Sequence, residues 1–300
     1  MSPDTTARYA LLDLDPHDLL ADLAVSPDPQ RPGLYRAQLP DAWSFLLPSG
    51  GVLSALALVA MERHLADPRQ TIISASTIFC EALRAGPLNV EVEVLRRGQA
   101  ASQLRARVRE GQEPDPRRAG LEVIATYACD REGPDVIGAS FPEVKSFEAS
   151  ALSPEHKYRL PFLENFEDRL ALGHLSRDET WEAGPARYAR WLRYKVPPRR
   201  ADGTLSPYAL PPIADLMPPA LLQLLGPTYP RFLAPSLDLT LHFLEDTTRD
   251  RILVHSYCRR ARRGYATAEV ELWDEDRRLL AYGTQVMMLR RWPAPPAPTA

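Results

Sequence analysis

Paired cysteines are missing from this chain. Its three cysteines, Cys80, Cys129 and Cys258, are odd in number, far apart and outside any CxxC. That excludes a disulfide framework and a cysteine-ligated zinc site, and it points to reduced thiols in a cytoplasm. No apolar run approaches the roughly 18 residues that a membrane-spanning helix needs, so no membrane insertion is expected. The opening "MSPDTTARYALLDLD" has neither a basic stretch nor an apolar core, and no signal peptide is expected from it. Basic charge is not in excess either: a net charge of −3 leaves no footprint for nucleic acid. The GxSxG, HExxH, P-loop and GxGxxG signatures are also absent, which argues against an α/β-hydrolase elbow, a zinc protease and a nucleotide cradle. The histidines His17, His64, His156, His174 and His255 form no metal-ligand spacing.

What is present is a soluble globular composition, 45% hydrophobic and 25% charged, over 300 residues. That length suits one large or two ordinary domains. Thirty prolines is about twice the average usage. They gather in the "PAPPAP" tail at 293–298, expected to be extended and disordered, and in the connections between periodic segments.

The chain repeats itself. "RRGQA" at 96–100 recurs as "RRGYA" at 262–266, and "FCE" at 79–81 recurs as "FLE" at 243–245. Both "RRGxA" copies open a period-2 segment. Leu104, Ala106 and Val108 alternate with arginines in the first; Val270 and Leu272 alternate with glutamates in the second. These read as half-exposed antiparallel strands. Several matches in order at nearly constant offset indicate duplication. Two apolar helical stretches keep the same register, "GGVLSALALVAM" (50–61) and "DLMPPALLQLL" (215–225). Each is expected to be buried all round, with Asp215 opening the second helix and Pro218 and Pro219 in its first turn, where no N–H is needed. The expected organisation is α+β. An N-terminal repeat fills 1–145, a connecting segment 146–185, a C-terminal repeat 186–292 and a Pro-rich tail 293–300, each repeat an antiparallel sheet around one long helix.

One strand carries a residue that its neighbours do not explain. In "LLAYGTQVMMLR" (279–290), Ala281, Gly283, Met287 and Leu289 form an apolar face, and Gln285 stands in the middle of it. Alternate side chains of a strand share a face, so this amide points inward, where lacking partners would cost roughly 1–3 kcal/mol.

The order of these elements, with "GG" at 50–51, the "RRGxA" strands, Asp215, "SLDLTLHF" at 236–243 and "GTQVMMLR" at 283–290, resembles the double hotdog proteins of the acyl-CoA thioesterase II family. The resemblance spans about residues 30–291. It implies hydrolysis of an acyl-CoA to free acid and CoA, as in fatty acid metabolism. It also implies a catalytic aspartate, threonine and glutamine in the second repeat, which fall on Asp215, Ser236 and Gln285. Ser236 departs from the pattern by keeping the hydroxyl and losing a methyl group. The resemblance and its position also suggest Gly51 N–H as an oxyanion donor. In register with Asp215, Ser236 and Gln285, the first repeat offers Gly51, Ile72 and, by matching "AT" with "GT", Tyr127, which points to a single active site.

The resemblance further implies an acyl tunnel between sheet and helices, with Arg96, Arg97, Arg262 and Arg263 as candidates for the CoA phosphates. No metal or redox cofactor is implied, since coenzyme A is part of the substrate. Pairing into a homo-oligomer through exposed strand edges is a further expectation. Alternatives stay open at this point. Asp215 also suits a helix N-cap, Ser236 a turn hydroxyl, Gln285 a bulge beside Gly283, and the arginines solvated strand ends. Asp238 and His242 read as polar-face residues. A hotdog hydratase would need a histidine near the site, and His64 lies at the far end of its helix. A non-catalytic acyl-CoA-binding protein is the main rival.

Overall fold

The period-2 segments become strands in the computed structural model, which describes residues 15–112, 115, 118–153, 160–175, 178 and 180–291. The Pro-rich tail lies outside the described residues. The first half contributes β1 (Ser26–Pro27), β2 (Leu34–Leu39), β3 (Thr71–Phe79), β4 (Gly86–Arg96), β5 (Ala101–Glu110) and β6 (Leu121–Ala128). The second half and its approach contribute β7 (Ala151–Leu152), β8 (Phe166–Leu172), β9 (Arg187–Tyr194), β10 (Phe232–Leu233), β11 (Asp238–Phe243), β12 (Arg251–Arg262), β13 (Tyr265–Asp274), β14 (Leu279–Met288) and β15 (Arg290–Arg291). All but β10 and β15, which pair with each other, join one 13-stranded sheet in the order β1-β2-β4-β5-β6-β3-β11-β14-β13-β12-β9-β8-β7. The succession β2-β4-β5-β6-β3 is answered by β11-β14-β13-β12-β9, the same plan reversed. This is the double hotdog architecture.

A pseudo-twofold axis passes between β3 and β11. Ser76 lies opposite Thr240 in the ladder, and their hydroxyls, 164 positions apart, are 3.1 Å from each other. The pairings correct one register. Ser76 faces Ile124 on β6 as Thr240 faces Thr284 on β14, so the counterpart of Gln285 is Ala125. Tyr127 is instead the counterpart of Met287, since it faces Ile72 as Met287 faces Ser236. The likeness of "AT" (125–126) to "GT" (283–284) puts a match made by motif alone two residues off, because Thr284 is the counterpart of Ile124 and not of Thr126.

Helix α1 (Gly50–Leu65) fills the first half of the sheet's concave side, and its apolar residues are buried on nearly every face. Its one polar interior side chain has a job. Thr77 Oγ1 of β3 donates to Ser54 Oγ at 3.0 Å, and Ser54 Oγ donates to Gly50 O at 2.9 Å, which ties the helix start to the sheet. The second half differs from expectation: the helix does not open at Asp215. It is two short pieces, α2 (Leu210–Ala214) and α3 (Pro218–Leu225), with Asp215 ending the first. Pro218 and Pro219 have no N–H for the carbonyls of Ala214 and Asp215, so the ladder must break there and restart. Burial all round nearly holds for residues 50–61 of α1, where none is exposed, and fails for α3, where Leu224 is 53% exposed. The polar Gln223 is buried instead, donating to His174 O at 3.0 Å and accepting from His174 N–H at 2.8 Å.

The connecting segment does more than connect. It supplies β8, and its Phe147 packs with Phe141 of the preceding stretch and with Trp191, Leu253 and Trp273 into a small apolar cluster apart from the main core. Trp191 Nε1 donates to Lys145 O at 2.9 Å. At the outer edges, β1 and β7 are two residues each, and edges so short blunt the strand pairing expected of them.

The Thr77–Ser54–Gly50 chain is buried, so Thr77→Val is expected to destabilise the fold by about 1 kcal/mol. Ser76→Val, at an exposed hydroxyl pair, is expected to change it by less than about 0.5 kcal/mol. Urea unfolding midpoints check both.

Candidate active site

Three separate segments deliver side chains or backbone to Asp215, which stands on a fourth. The proline-enforced break places it between two helices, with φ −73° and ψ 15°. Ser236 precedes β11 and pairs with Met287 as an isolated bridge. Leu237 N–H donates to Val286 O at 2.8 Å, which lays this segment against the end of β14. Gln285 comes from β14 and is 1% exposed, on the inward face that the sequence assigned to it. The start of α1 closes the fourth side. Gly51 must be glycine there, since a Cβ would lie 2.1 Å from Pro211 O.

The three side chains expected to act together do meet. Asp215 Oδ1 accepts from Ser236 Oγ at 2.7 Å and from Gln285 Nε2. Gln285 Nε2 also donates to Ser236 Oγ at 2.7 Å. A carboxylate only accepts, so the amide nitrogen must face it, and Ser236, having given its proton to Asp215, must accept. The triangle is closed and its directions are fixed. Gln285 Oε1 is buried with no hydrogen-bond partner. An orphaned carbonyl of this kind costs roughly 1–3 kcal/mol and offers a place for an O–H donor.

Asp215 Oδ2 accepts from Gly51 N–H at 3.0 Å. This changes the role expected for Gly51: its N–H is engaged by the carboxylate and is not free for an oxyanion. The physical reason is that the positive end of α1 finds a full negative charge beside it. Burial pushes the Asp215 pKa above the ordinary aspartate value, against the opposing pull of Ser236, Gln285 and the Gly51 and Gly50 amides. The residue remains half-buried. An aspartate that is partly reachable, raised in pKa and clamped by donors can take up a proton from water.

The arginine candidates separate. Arg97 donates to Leu65 O at 2.9 Å, the last carbonyl of α1, at the end opposite Asp215. Arg96 is exposed on the same turn. Arg262 and Arg263 are exposed at the β12–β13 turn, where Tyr265 pairs with Met288. That turn is roughly 10 Å from Gln285 along β14. Asp238 Oδ1 accepts from Val286 N–H at 2.8 Å, and the His242 ring stacks on Tyr282, so both serve the strand. Sequence reasoning missed Gly50 and Phe79, whose ring lies 2.7 Å from where a Gly50 Cβ would be. The signals were "GG" at 50–51 for Gly50 and the "FCE"/"FLE" repeat for Phe79. Among the described residues, no group of three or more His, Cys, Asp or Glu is placed to hold a metal ion, and no helix is long and apolar enough to cross a membrane.

Known proteins match along most of the chain. Residues 39–129 match the model of an acyl-CoA thioesterase N-terminal domain, and residues 142–289 match that of the C-terminal domain. No curated protein matches. Among solved structures, a hotdog-fold protein of unknown function from Alicyclobacillus acidocaldarius is 19% identical with a TM-score of 0.74, covering 93% of this chain and 99% of its own. The TesB protein of Mycobacterium avium subs paratuberculosis is 20% identical, with a TM-score of 0.70 and coverage of 91% and 98%. An acyl-CoA thioesterase II, TesB2, from Mycobacterium marinum is 18% identical, with a TM-score of 0.67 and coverage of 91% and 98%. At these identities the likeness is one of fold.

Gly51→Ala forces its new methyl group into the Pro211 backbone and is expected to destabilise by about 1–3 kcal/mol. Gly133→Ala, where a Cβ meets nothing within 4 Å, is expected to stay within about 0.5 kcal/mol. Denaturant unfolding of the two variants beside the wild type checks the pair.

Proposed function

Because the chain belongs to the acyl-CoA thioesterase family, we propose that it hydrolyses an acyl-CoA to a free acid and CoA by direct attack of water. The observation that carries this reading is the closed triangle of Asp215, Ser236 and Gln285 with one amide oxygen left unpaired. A water donating to Gln285 Oε1 and to Asp215 stands where its lone pair is free to attack. Asp215 accepts the proton as the oxygen bonds to the thioester carbon. The tetrahedral intermediate then expels the CoA thiolate, which takes a proton to become the thiol. Ser236 and Gln285 hold the carboxylate in one orientation, and the electron-poor start of α1 steadies its charge.

Coenzyme A enters as part of the substrate, with the exposed Arg262 and Arg263 offered to its phosphates. No resident metal or redox group belongs to the reading. Free thiols at Cys80, Cys129 and Cys258 agree with a reducing cytoplasm.

Thiol release from acyl-CoAs of graded chain length tests the proposal. Asp215→Asn is expected to lower kcat roughly 10²–10⁴-fold, and Gln285→Ala to lower it by at least about tenfold, with both variants folded by circular dichroism. Binding of acyl-CoA without thiol release by the wild type would make the protein an acyl-CoA binder instead.

The pH profile gives a second check. A raised Asp215 pKa means that the base is lost to protonation at a higher pH than for an ordinary aspartate. The acid limb of kcat/KM should therefore lie above the usual aspartate range. Ser236→Ala removes a hydrogen bond that favours the charged form, so the limb should move to still higher pH. A shift in the other direction would count against Asp215 as the base.

A further inference from the structure

Phe79 stands at the end of β3, in the first half, and its N–H donates to Leu237 O at 3.0 Å. It is therefore tied to the residue that follows Ser236. Its side chain points to the same side as Ala75 and Thr77, toward the start of α1. The ring atoms Cε1 and Cζ lie 2.7 Å from where a Cβ on Gly50 would be, and Asp215 Oδ2 lies 3.0 Å from the same point. Ring and carboxylate are thus neighbours across one glycine. The ring is only half-buried.

The other half of the molecule supplies an independent observation. Phe243 is the counterpart of Phe79, and Ile72 is the counterpart of Ser236 across the pseudo-twofold axis. Phe243 and Ile72 together line an open cleft of about 160 Å³, whose other walls include Leu210 and Leu280 and the charged Arg200 and Glu245. On the catalytic side, Phe79 and Ser236 hold the corresponding positions of the repeat. The repeat motif "FCE"/"FLE" thereby gains a meaning that the triangle of polar residues does not use.

We propose that Phe79 is the specificity-determining wall of the acyl site, setting the bulk accepted beside the thioester carbonyl and favouring unbranched acyl groups. The inference rests on the thioesterase reading above. The ring cannot retreat, because the Gly50 backbone lies directly against it and its own backbone is bonded to Leu237. A branch at C2 of the acyl group, the carbon next to the reacting carbonyl, meets this rigid surface. Apolar pockets discriminate by roughly 10–200-fold for one methylene, which sets the size of effect to look for.

The test measures kcat/KM for butanoyl-, octanoyl- and palmitoyl-CoA, each beside the CoA thioester of its 2-methyl-branched acid, with wild type, Phe79→Ala, Phe79→Leu and Phe243→Ala. Phe79→Ala is expected to raise the branched-to-straight ratio by about tenfold or more, Phe79→Leu by less, and Phe243→Ala not at all. Phe79→Leu retains an apolar side chain and decides the matter if Phe79→Ala fails to fold. Hydrolysis with a ratio unchanged by both Phe79 variants, or moved as far by Phe243→Ala, overturns the wall and leaves the thioesterase reading standing. Failure of the wild type to hydrolyse any of the straight-chain esters overturns both.

Discussion

One contact organises this molecule: the hydrogen bond from Gly51 N–H to the Asp215 carboxylate, between residues 164 positions apart. It joins the start of the first half's helix to the break in the second half's helix, close to the pseudo-twofold axis. The carboxylate neutralises a helix end that would otherwise face an apolar interior, and the helix end helps keep the carboxylate charged where burial opposes it. Glycine at 51 lets the two backbones approach, and the prolines at 218 and 219 open the helix at the position where the aspartate must stand. Ser236 and Gln285 complete the shell from two adjacent segments of the sheet. Remove any of these and the others lose their reason for being buried and polar.

Much of this was legible in the residues themselves. Period-2 alternation in "QLRARVR" and "AEVEL" marked long antiparallel strands because half of each strand faces water. The repeated "RRGxA" turns marked the duplication because a turn limits which residues it tolerates. Gln285 betrayed itself as an amide on an apolar face, and its burial and partners agree with that reading. Asp215, Ser236 and Gln285 were placed by resemblance, and the structure brings them together.

What the sequence hid was geometry that no local pattern encodes. The helix break at Asp215 was concealed because prolines are compatible both with a helix's first turn and with its interruption. The match of Tyr127 to Gln285 failed because "AT" and "GT" are alike without being equivalent, and only the ladder pairings show that the match is two residues off. Gly51's hydrogen-bond partner depends on which element lies opposite a helix end, a long-range fact. Phe79 was invisible as a wall because an aromatic residue near a strand end is ordinary until its neighbours are known.

The asymmetry across the axis reaches beyond the reaction. Two copies of the second half alone, paired as these halves are, would bring one Asp215 against another, two carboxylates competing for a position that supplies no amide. Two copies of the first half would set Gly51 against Gly51 and leave both helix ends without a counter-charge. A symmetric ancestor could have assembled from identical subunits; once glycine and aspartate had parted at this position, neither descendant could replace the other. The covalent linkage of the halves then became a matter of inheritance as well as of folding, since a duplication specialised in this way cannot be undone by splitting the chain into like pairs.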